Sequence, residues 1–394
     1  MTQITIRLYV GVFILLVLSL GVWSVQTGRS FRVSDPGDVI HGALAQQYER
    51  YYNDSFPVKD FGAGFWAAVQ YLLFQEGRKG VVIGEQGWLY TQEEFIPYPD
   101  FSQRVTDQLS HIVAVRDYLR RRDVELVLAL LPAKARVYPE FRGDRKPDVT
   151  QETLYVSALQ SLTSQQVIAP TLLPVLRQQK AHTPVFLRTD THWTPMGAEA
   201  VAAGLAKALK PQFPALGWGE TRFQTDVQAP IEHRGDLMNF LPLAPYFEHL
   251  GPQKEIVQAR VTRTDAAVED NDLFAEVDIP VALVGTSYSA NALWNFAGAL
   301  EQVLGVAVAN YAQAGKGPMI PMMEYLLSDD FEQVPPQLII WEIPERYLPF
   351  EYDLTPYALP FLTSSLKDSA RVELQTPILT STTSRTSTFI PTAQ

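Results

Sequence analysis

The sequence predicts an α/β fold, a mostly parallel sheet with helices on both faces, and two observations carry that reading. Continuous apolar runs of strand length occur at residues 124–131, 279–284, 306–310 and 337–342. Around them lie segments with helical spacing or helix-forming composition, at 105–122, in the 150s and 160s, and at 195–209, 290–304 and 319–327. Strands that are apolar along their whole length belong in a sheet covered on both sides, and their alternation with helices implies parallel connections.

Each element has a local cause. The segment GVVIGEQGWLYTQEEF at 80–95 sets a Gln86-Gly87 turn between two apolar stretches and reads as a β-hairpin. Pro132 ends the run at 124–131, since it has no N–H to continue a ladder. MGAEAVAAGLAKAL at 196–209 is rich in helix formers and follows Pro195, which is tolerated in a first turn. From 213 to 276 the alternation lapses into Pro- and Gly-punctuated segments with one possible strand at 255–264, expected to form an insertion beside the sheet. After about residue 362 the chain becomes Ser/Thr-rich, ending STTSRTSTFIPTAQ, and a disordered tail is expected.

A chain of 394 residues with 46% hydrophobic and 19% charged residues has an ordinary globular composition. Lysine and arginine total 32 against 43 acidic residues, and the net charge of −11 argues against nonspecific nucleic-acid binding. The absence of cysteine removes disulfides, thiolate nucleophiles and cysteine-based metal sites. Residues 8–25, LYVGVFILLVLSLGVWSV, carry no charge between Arg7 and Arg29 and match the length of a bilayer core. The following residues offer a poor cleavage site, so an uncleaved anchor is expected. The chain thus divides into an anchor or uncleaved signal at 1–28, a linker and amphipathic segment at 29–79, the main α/β domain at 80–361 with its insertion at about 213–276, and a low-complexity tail at 362–394.

Chemistry concentrates at two places. At Gly285-Thr286-Ser287-Tyr288-Ser289 a buried strand enters a glycine turn and then a helix, which would expose a serine at the C-terminal edge of the sheet, where ligands bind. The same residues also suit an ordinary loop with a helix cap. A serine nucleophile needs a base. Of six histidines, only His192 has an acidic partner at fixed spacing, in Asp190-Thr191-His192-Trp193. Residues two apart in an extended segment project to one side, so Asp190 could hold the imidazole while its other nitrogen faces Ser287. The alternatives are a helix N-cap region and a two-ligand metal site, the latter lacking an evident third ligand. Trp193 is a packing residue or a sugar platform.

With DTHW and GTSYS identified, the sequence resembles the periplasmic alginate O-acetyltransferases of the AlgJ and AlgX type, whose catalytic domain is SGNH-hydrolase-like. GVVIGEQGWLY, LLPAKARVYPE and LIIWEIPER (338–346) resemble further blocks of that family in the same order, over roughly residues 80–350. The resemblance implies Ser287 as nucleophile, His192 as base and Asp190 as orienting acid. It also implies a permuted order of blocks, because the Asp/His pair precedes the serine by about a hundred residues. Two departures stand out: the nucleophile block reads Gly-Thr-Ser instead of Gly-Asp-Ser, and no Gly-x-Asn-Asp block is present. Oxyanion donors are therefore open, with the Ser287 N–H, the Gly315 and Gly317 main chain and Arg346 as candidates. Turn glycines and a salt-bridged arginine are the alternative.

With no carbohydrate-binding module expected in the residues after 350, the likeness is to the AlgJ type. That resemblance implies residence in the periplasm on the inner membrane, and the residues themselves suggest no cofactor or metal. A membrane-bound O-acyltransferase would supply acetyl groups, which pass to mannuronate hydroxyls of the exopolysaccharide alongside other polymer-modification proteins. An acetylesterase using the same residues and a noncatalytic scaffold remain alternatives. Because alginate is a polyanion, a local basic patch is expected from Lys134, Arg136, Arg234, Lys316 and Arg346, with Trp193 and Tyr288 as further substrate contacts. A negative cleft would instead favour a neutral glycan such as cellulose.

Overall fold

The protein is seen in a computed structural model that describes residues 3–28, 30–33, 42–56, 58–264 and 279–357. The expected tail and the end of the expected insertion lie outside the described residues. Helix α1 (Gln3–Gly28) contains the stretch Arg7–Gln26, long and apolar enough to cross a membrane. Helices α2 (Ala43–Ser55) and α3 (Lys59–Val69) follow, α3 running into a π-helical turn at Gln70–Phe74. The hairpin expected at 80–95 is β1 (Val81–Ile83) paired antiparallel with β2 (Leu89–Thr91). Next come α4 (Phe101–Arg120), β3 (Glu125–Leu131), α5 (Lys134–Val137), α6 (Val149–Ser164), α7 (Leu173–Lys180) and α8 (Pro195–Gln212). An antiparallel ribbon of β4 (Phe223–His233) and β5 (Glu255–Thr264) precedes β6 (Val281–Val284), α9 (Ser287–Ala290), α10 (Phe296–Leu304) and β7 (Val308–Asn310). The described chain then forms α11 (Met319–Leu326), α12 (Asp329–Gln333) and β8 (Leu338–Pro344).

Four strands form one parallel sheet in the order β3-β8-β6-β7. Alternate side chains of β3 serve opposite faces, as strand geometry requires. Val127, Ala129 and Leu131 join one core with Val201, Leu205 and Leu300 from α8 and α10. Leu126, Leu128 and Leu130 join the other with Ile112, Leu154 and Met322 from α4, α6 and α11. The fully buried strands are thus apolar on both sides because helices cover both sides. All four strands run in one direction, so β3, β6 and β8 deliver Lys134, Ser287 and Glu342 toward the same edge of the sheet.

Two elements differ from the sequence-based expectation. The helix expected over 290–304 is split into α9 and α10, because Asn291 accepts the Leu293 N–H and Asn295 adopts a left-handed φ of 52°, which tucks Trp294 into the core. The lapse at 213–276 hides β4 as well as the anticipated β5. That ribbon lies off the main sheet with most of β4 partly or fully exposed, and its register shifts between Val227 and Pro230, so it lacks a clean apolar period.

Candidate active site

The turn after β6 is held from below by an acid. Gly285 approaches Glu342 of β8 so closely that a Cβ would sit 2.5 Å from Glu342 Oε2, which only glycine permits. Glu342 Oε2 accepts the Thr286 N–H at 2.8 Å and the Thr286 and Ser289 hydroxyls at 3.0 Å each. Thr286 also caps α9 by accepting the Tyr288 N–H. Ser287, first residue of α9, is therefore presented by a turn whose polar groups are satisfied by one buried carboxylate.

Burial pushes the Glu342 carboxyl up from 4.5 to about 7, against the hydrogen bonds of Thr286 and Ser289, which favour its ionised form. A carboxyl with a raised folded value binds its proton more tightly in the folded protein than in the unfolded chain. Stability is therefore lost as pH rises from about 4.5 to about 7, by about 3 kcal/mol over that span. Glu342→Gln is expected to remove this component. Urea midpoints taken across that range should fall more steeply with pH in the parent than in the variant, and parallel curves would refute the assignment.

The second half of the site is Asp190-Thr191-His192-Trp193. It is pinned to the segment before it by backbone hydrogen bonds from Leu187 N to His192 O and from Thr194 N to Val185 O. Thr194 caps α8 by accepting the Gly197 N–H, and a Cβ at Gly197 would lie 2.2 Å from Val185 O. From below, the fully buried Lys134 ammonium donates to the carbonyls of Leu89, Arg188 and Asp190 at 2.6, 2.8 and 2.9 Å. Burial pushes it down to about 8, opposed by Glu94 and more distant acids.

These two halves meet. His192 Nε2 lies 2.7 Å from Ser287 Oγ, and His192 Nδ1 lies 2.6 Å from Asp190 Oδ1. Asp190 Oδ1 also accepts the His192 N–H, while Oδ2 accepts His233 Nε2–H at 2.7 Å and the Asp236 N–H at 3.1 Å. Burial alone would raise the Asp190 carboxyl, but the hydrogen bonds of His192 and His233 hold it well below the usual range. The hydrogen bond to Asp190 raises His233, partly offset by burial. With Nδ1–H given to the carboxylate, Nε2 is the basic nitrogen facing the serine hydroxyl. Trp294 stacks on His192 at 5.5 Å and meets His233 edge-on at 5.7 Å. Such a relay can accept a proton from a serine hydroxyl and stabilise the imidazolium that results.

His233 and Asp236 escape the sequence reading because they arrive on the off-sheet ribbon. His233 ends β4, and Gly235 passes so close to Thr189 that a Cβ would lie 2.1 Å from its carbonyl oxygen. The histidine that looked unpartnered in sequence thus shares the carboxylate of Asp190. The tight run His-Arg-Gly-Asp was its only local signal. Glu342 had a clearer one, a lone acid inside the apolar run LIIWEIP. Asp190, His192 and Asp236 also present three ligand atoms within 4.8 Å of one another. His192 Nδ1 is instead hydrogen-bonded to Asp190 Oδ1, and Asp236 Oδ2 accepts the Thr191 hydroxyl, each at 2.6 Å.

Several anticipated substrate contacts are placed otherwise. Trp193 is fully buried between Tyr288 and Phe296, so it is a core residue and offers no platform to a sugar. Tyr288 is buried and gives its hydroxyl hydrogen to the Thr191 carbonyl. The expected basic patch does not form from four of its five members: Lys134 is buried, Arg136 pairs with Glu345, Lys316 with Glu324 and Arg346 with Glu93. Arg234 is exposed and bonds Asn239 and the Met238 carbonyl. Gly315 and Gly317 have φ of 81° and 67° on a loop tied to the Ser287 turn by Gln313 N–H to Gly285 O. Gly315 is open to solvent and Gly317 lies against the Tyr352 ring. Arg346 is buried, 6.0 Å from the Tyr288 ring.

Comparison with known proteins agrees with this architecture. Residues 81–345 match the family model described as SGNH hydrolase-like domain, acetyltransferase AlgX. A protein named probable alginate O-acetylase AlgJ from Azotobacter vinelandii is 45% identical over 377 residues, covering 95% of this chain and 97% of that one. Its counterpart in Pseudomonas aeruginosa is 44% identical over 357 residues, 89% of this chain and 91% of that one. The solved O-acetyltransferase domain of Pseudomonas putida AlgJ superposes with a TM-score of 0.67 at 44% identity, covering 74% of this chain and all of that domain. Pseudomonas aeruginosa AlgX shares the fold, with a TM-score of 0.56 at 23% identity over 75% of this chain and 70% of that one. A parallel sheet that delivers a serine to one edge, over the span of that family model and with relatives at this identity, places the chain in the AlgX-type family of SGNH hydrolase-like acetyltransferases.

Proposed function

We propose that this protein is a serine-dependent O-acetyltransferase that acetylates alginate during its biosynthesis, using Ser287, His192 and Asp190. The observation that carries the chemistry is the 2.7 Å contact between His192 Nε2 and Ser287 Oγ, backed by Asp190 on Nδ1. In the first half-reaction His192 takes the Ser287 proton as Oγ bonds to the acetyl carbonyl carbon. The carbonyl then expels the donor's leaving group, which recovers the proton from Nε2. Acetyl-Ser287 results. In the second half-reaction a sugar hydroxyl gives its proton to Nε2 and attacks the acetyl carbon, and Ser287 Oγ leaves and is reprotonated. The polymer is read from the relatives named as alginate O-acetylases. With most of the expected basic patch internally paired, Arg234 is the exposed cation beside His233 that a uronate carboxylate would meet.

In this reading residues 1–28 hold the protein in the inner membrane with residues 80–361 in the periplasm, where a membrane-bound O-acyltransferase supplies acetyl groups. The test is to trap the intermediate. After reaction with a chromogenic acetyl ester and acid quench, the peptide carrying Ser287 should gain one acetyl group, and alginate from a deletion strain should lose acetyl content. An unlabelled Ser287 peptide with active enzyme overturns the serine mechanism. A rise in polymer acetylation on deletion would make the protein an esterase.

A further inference from the structure

Helix α3 is amphipathic in an inverted sense. It buries its small residues, Gly64, Ala67 and Ala68, against Leu237, Met238, Leu241 and Leu243. A Cβ at Gly64 would lie 3.1 Å from the Phe247 ring, so the helix is seated closely. Its large apolar residues face outward instead: Phe61, Phe65 and Trp66 on the helix and Leu72, Leu73 and Phe74 on the π turn are each about half or more exposed, Leu73 reaching 72%. Tyr246 extends the patch by packing edge-on against Phe61. Soluble surfaces carry scattered apolar residues, but a contiguous set this large marks a contact with something apolar.

The chain itself points to the occupant. Helix α2 is tied to the C-terminal end of α1 by a hydrogen bond between Ser24 and Tyr52. Phe31, Tyr48, Tyr51, Tyr52 and Phe56 form a ladder of ring contacts there, the residue type that collects where a helix leaves a bilayer. Helix α3 starts only four residues after α2 ends, and Lys59 pairs back to Asp54. The exposed face therefore begins within one short helix, about 20 Å, of the membrane exit. At its far end the rim is basic: Arg78, Lys79, Arg145 and Lys146 are exposed beside Glu76 and Asp144, and Arg145 donates to the Gln75 carbonyl. Aromatic and aliphatic residues with a cationic rim match the surface of a bilayer containing anionic lipid.

We propose that the Phe61–Phe74 face lies in the leaflet from which α1 emerges, a second, interfacial contact that seats the catalytic domain on the membrane. The inference rests on the anchor reading given above. The seat is mechanically continuous with the active site, because the segment that α3 packs on begins at Leu237, one residue after Asp236, whose N–H bonds Asp190. The absence of native cysteine makes the test direct. Full-length protein carrying Leu15→Cys, Phe65→Cys, Leu73→Cys or the exposed control Val149→Cys would be labelled with an environment-sensitive fluorophore. Each would be reconstituted into phosphatidylcholine–phosphatidylglycerol vesicles containing spin-labelled lipid, with acetyl-ester turnover verifying the fold. Probes at 15, 65 and 73 are expected to lose fluorescence and the probe at 149 to keep it. Quenching at 15 without quenching at 65 and 73 overturns the proposal and assigns the face to water or a protein partner. No quenching at 15 removes the anchor reading and the seat with it.

Discussion

Ser287→Ala and His192→Ala are each expected to lower kcat/KM for a soluble acetyl ester by about a millionfold, with the double variant no worse than either. The reason is the single proton path: Nε2 has one hydroxyl at 2.7 Å, and removing either partner leaves no activated nucleophile. Ser287 sits at the start of α9 on a turn satisfied by Glu342, so its loss should leave the fold intact. Steady-state turnover together with thermal melts separates the two effects. Additive losses in the double variant would mean that the two residues do not act as a unit.

Asp190→Asn is expected to cost about ten-thousandfold in the same assay. Both carboxylate oxygens accept two donors, Oδ1 from the main-chain and ring N–H of His192, Oδ2 from His233 and the Asp236 N–H. Whichever way the amide is turned, its NH2 group faces donors: turned toward His192 it pushes that ring toward the tautomer with hydrogen on Nε2, and turned toward His233 it displaces the hydrogen from that ring's Nε2. The Asp190 carboxyl is held well below its usual value, so its contribution is present above the unfolded value near 4. It is lost only as pH falls through the depressed folded value. The variant should accordingly be less stable than the parent at neutral pH, with the gap closing in strong acid. His233, raised by this hydrogen bond, should titrate at lower pH in the variant when followed by its ring resonances. An unmoved His233 titration with lost activity would sever the two histidines.

The legible parts of the site were those in which chemistry and local structure coincide. A strand into Gly-Thr-Ser and an Asp-Thr-His run before a helix each announce a functional turn, and elimination among six histidines singled out His192. Residues chosen by charge or residue type alone fared differently. Lys134, Arg136 and Arg346 are cations suited to a polyanion, yet each is engaged in the interior by carbonyls or carboxylates, and the exposed Lys316 is paired with Glu324. Trp193 has the right side chain for a sugar but is fully buried in the core. One-dimensional sequence says what a group can bond, while its available partners are set by neighbours far away in the chain.

By itself the sequence determined the parallel sheet, its hairpin, the apolar N-terminal helix and the edge at which the serine emerges, because each follows from local periodicity and turn chemistry. Only the tertiary structure decided that His233 and Asp236 share the carboxylate of Asp190, that Glu342 holds the Ser287 turn, and that α3 turns its aromatic residues outward. Those outcomes depend on contacts between segments 43 to 56 residues apart, or on which face of a helix finds a partner; a local pattern such as the lone acid in LIIWEIP marks a residue without naming its partner.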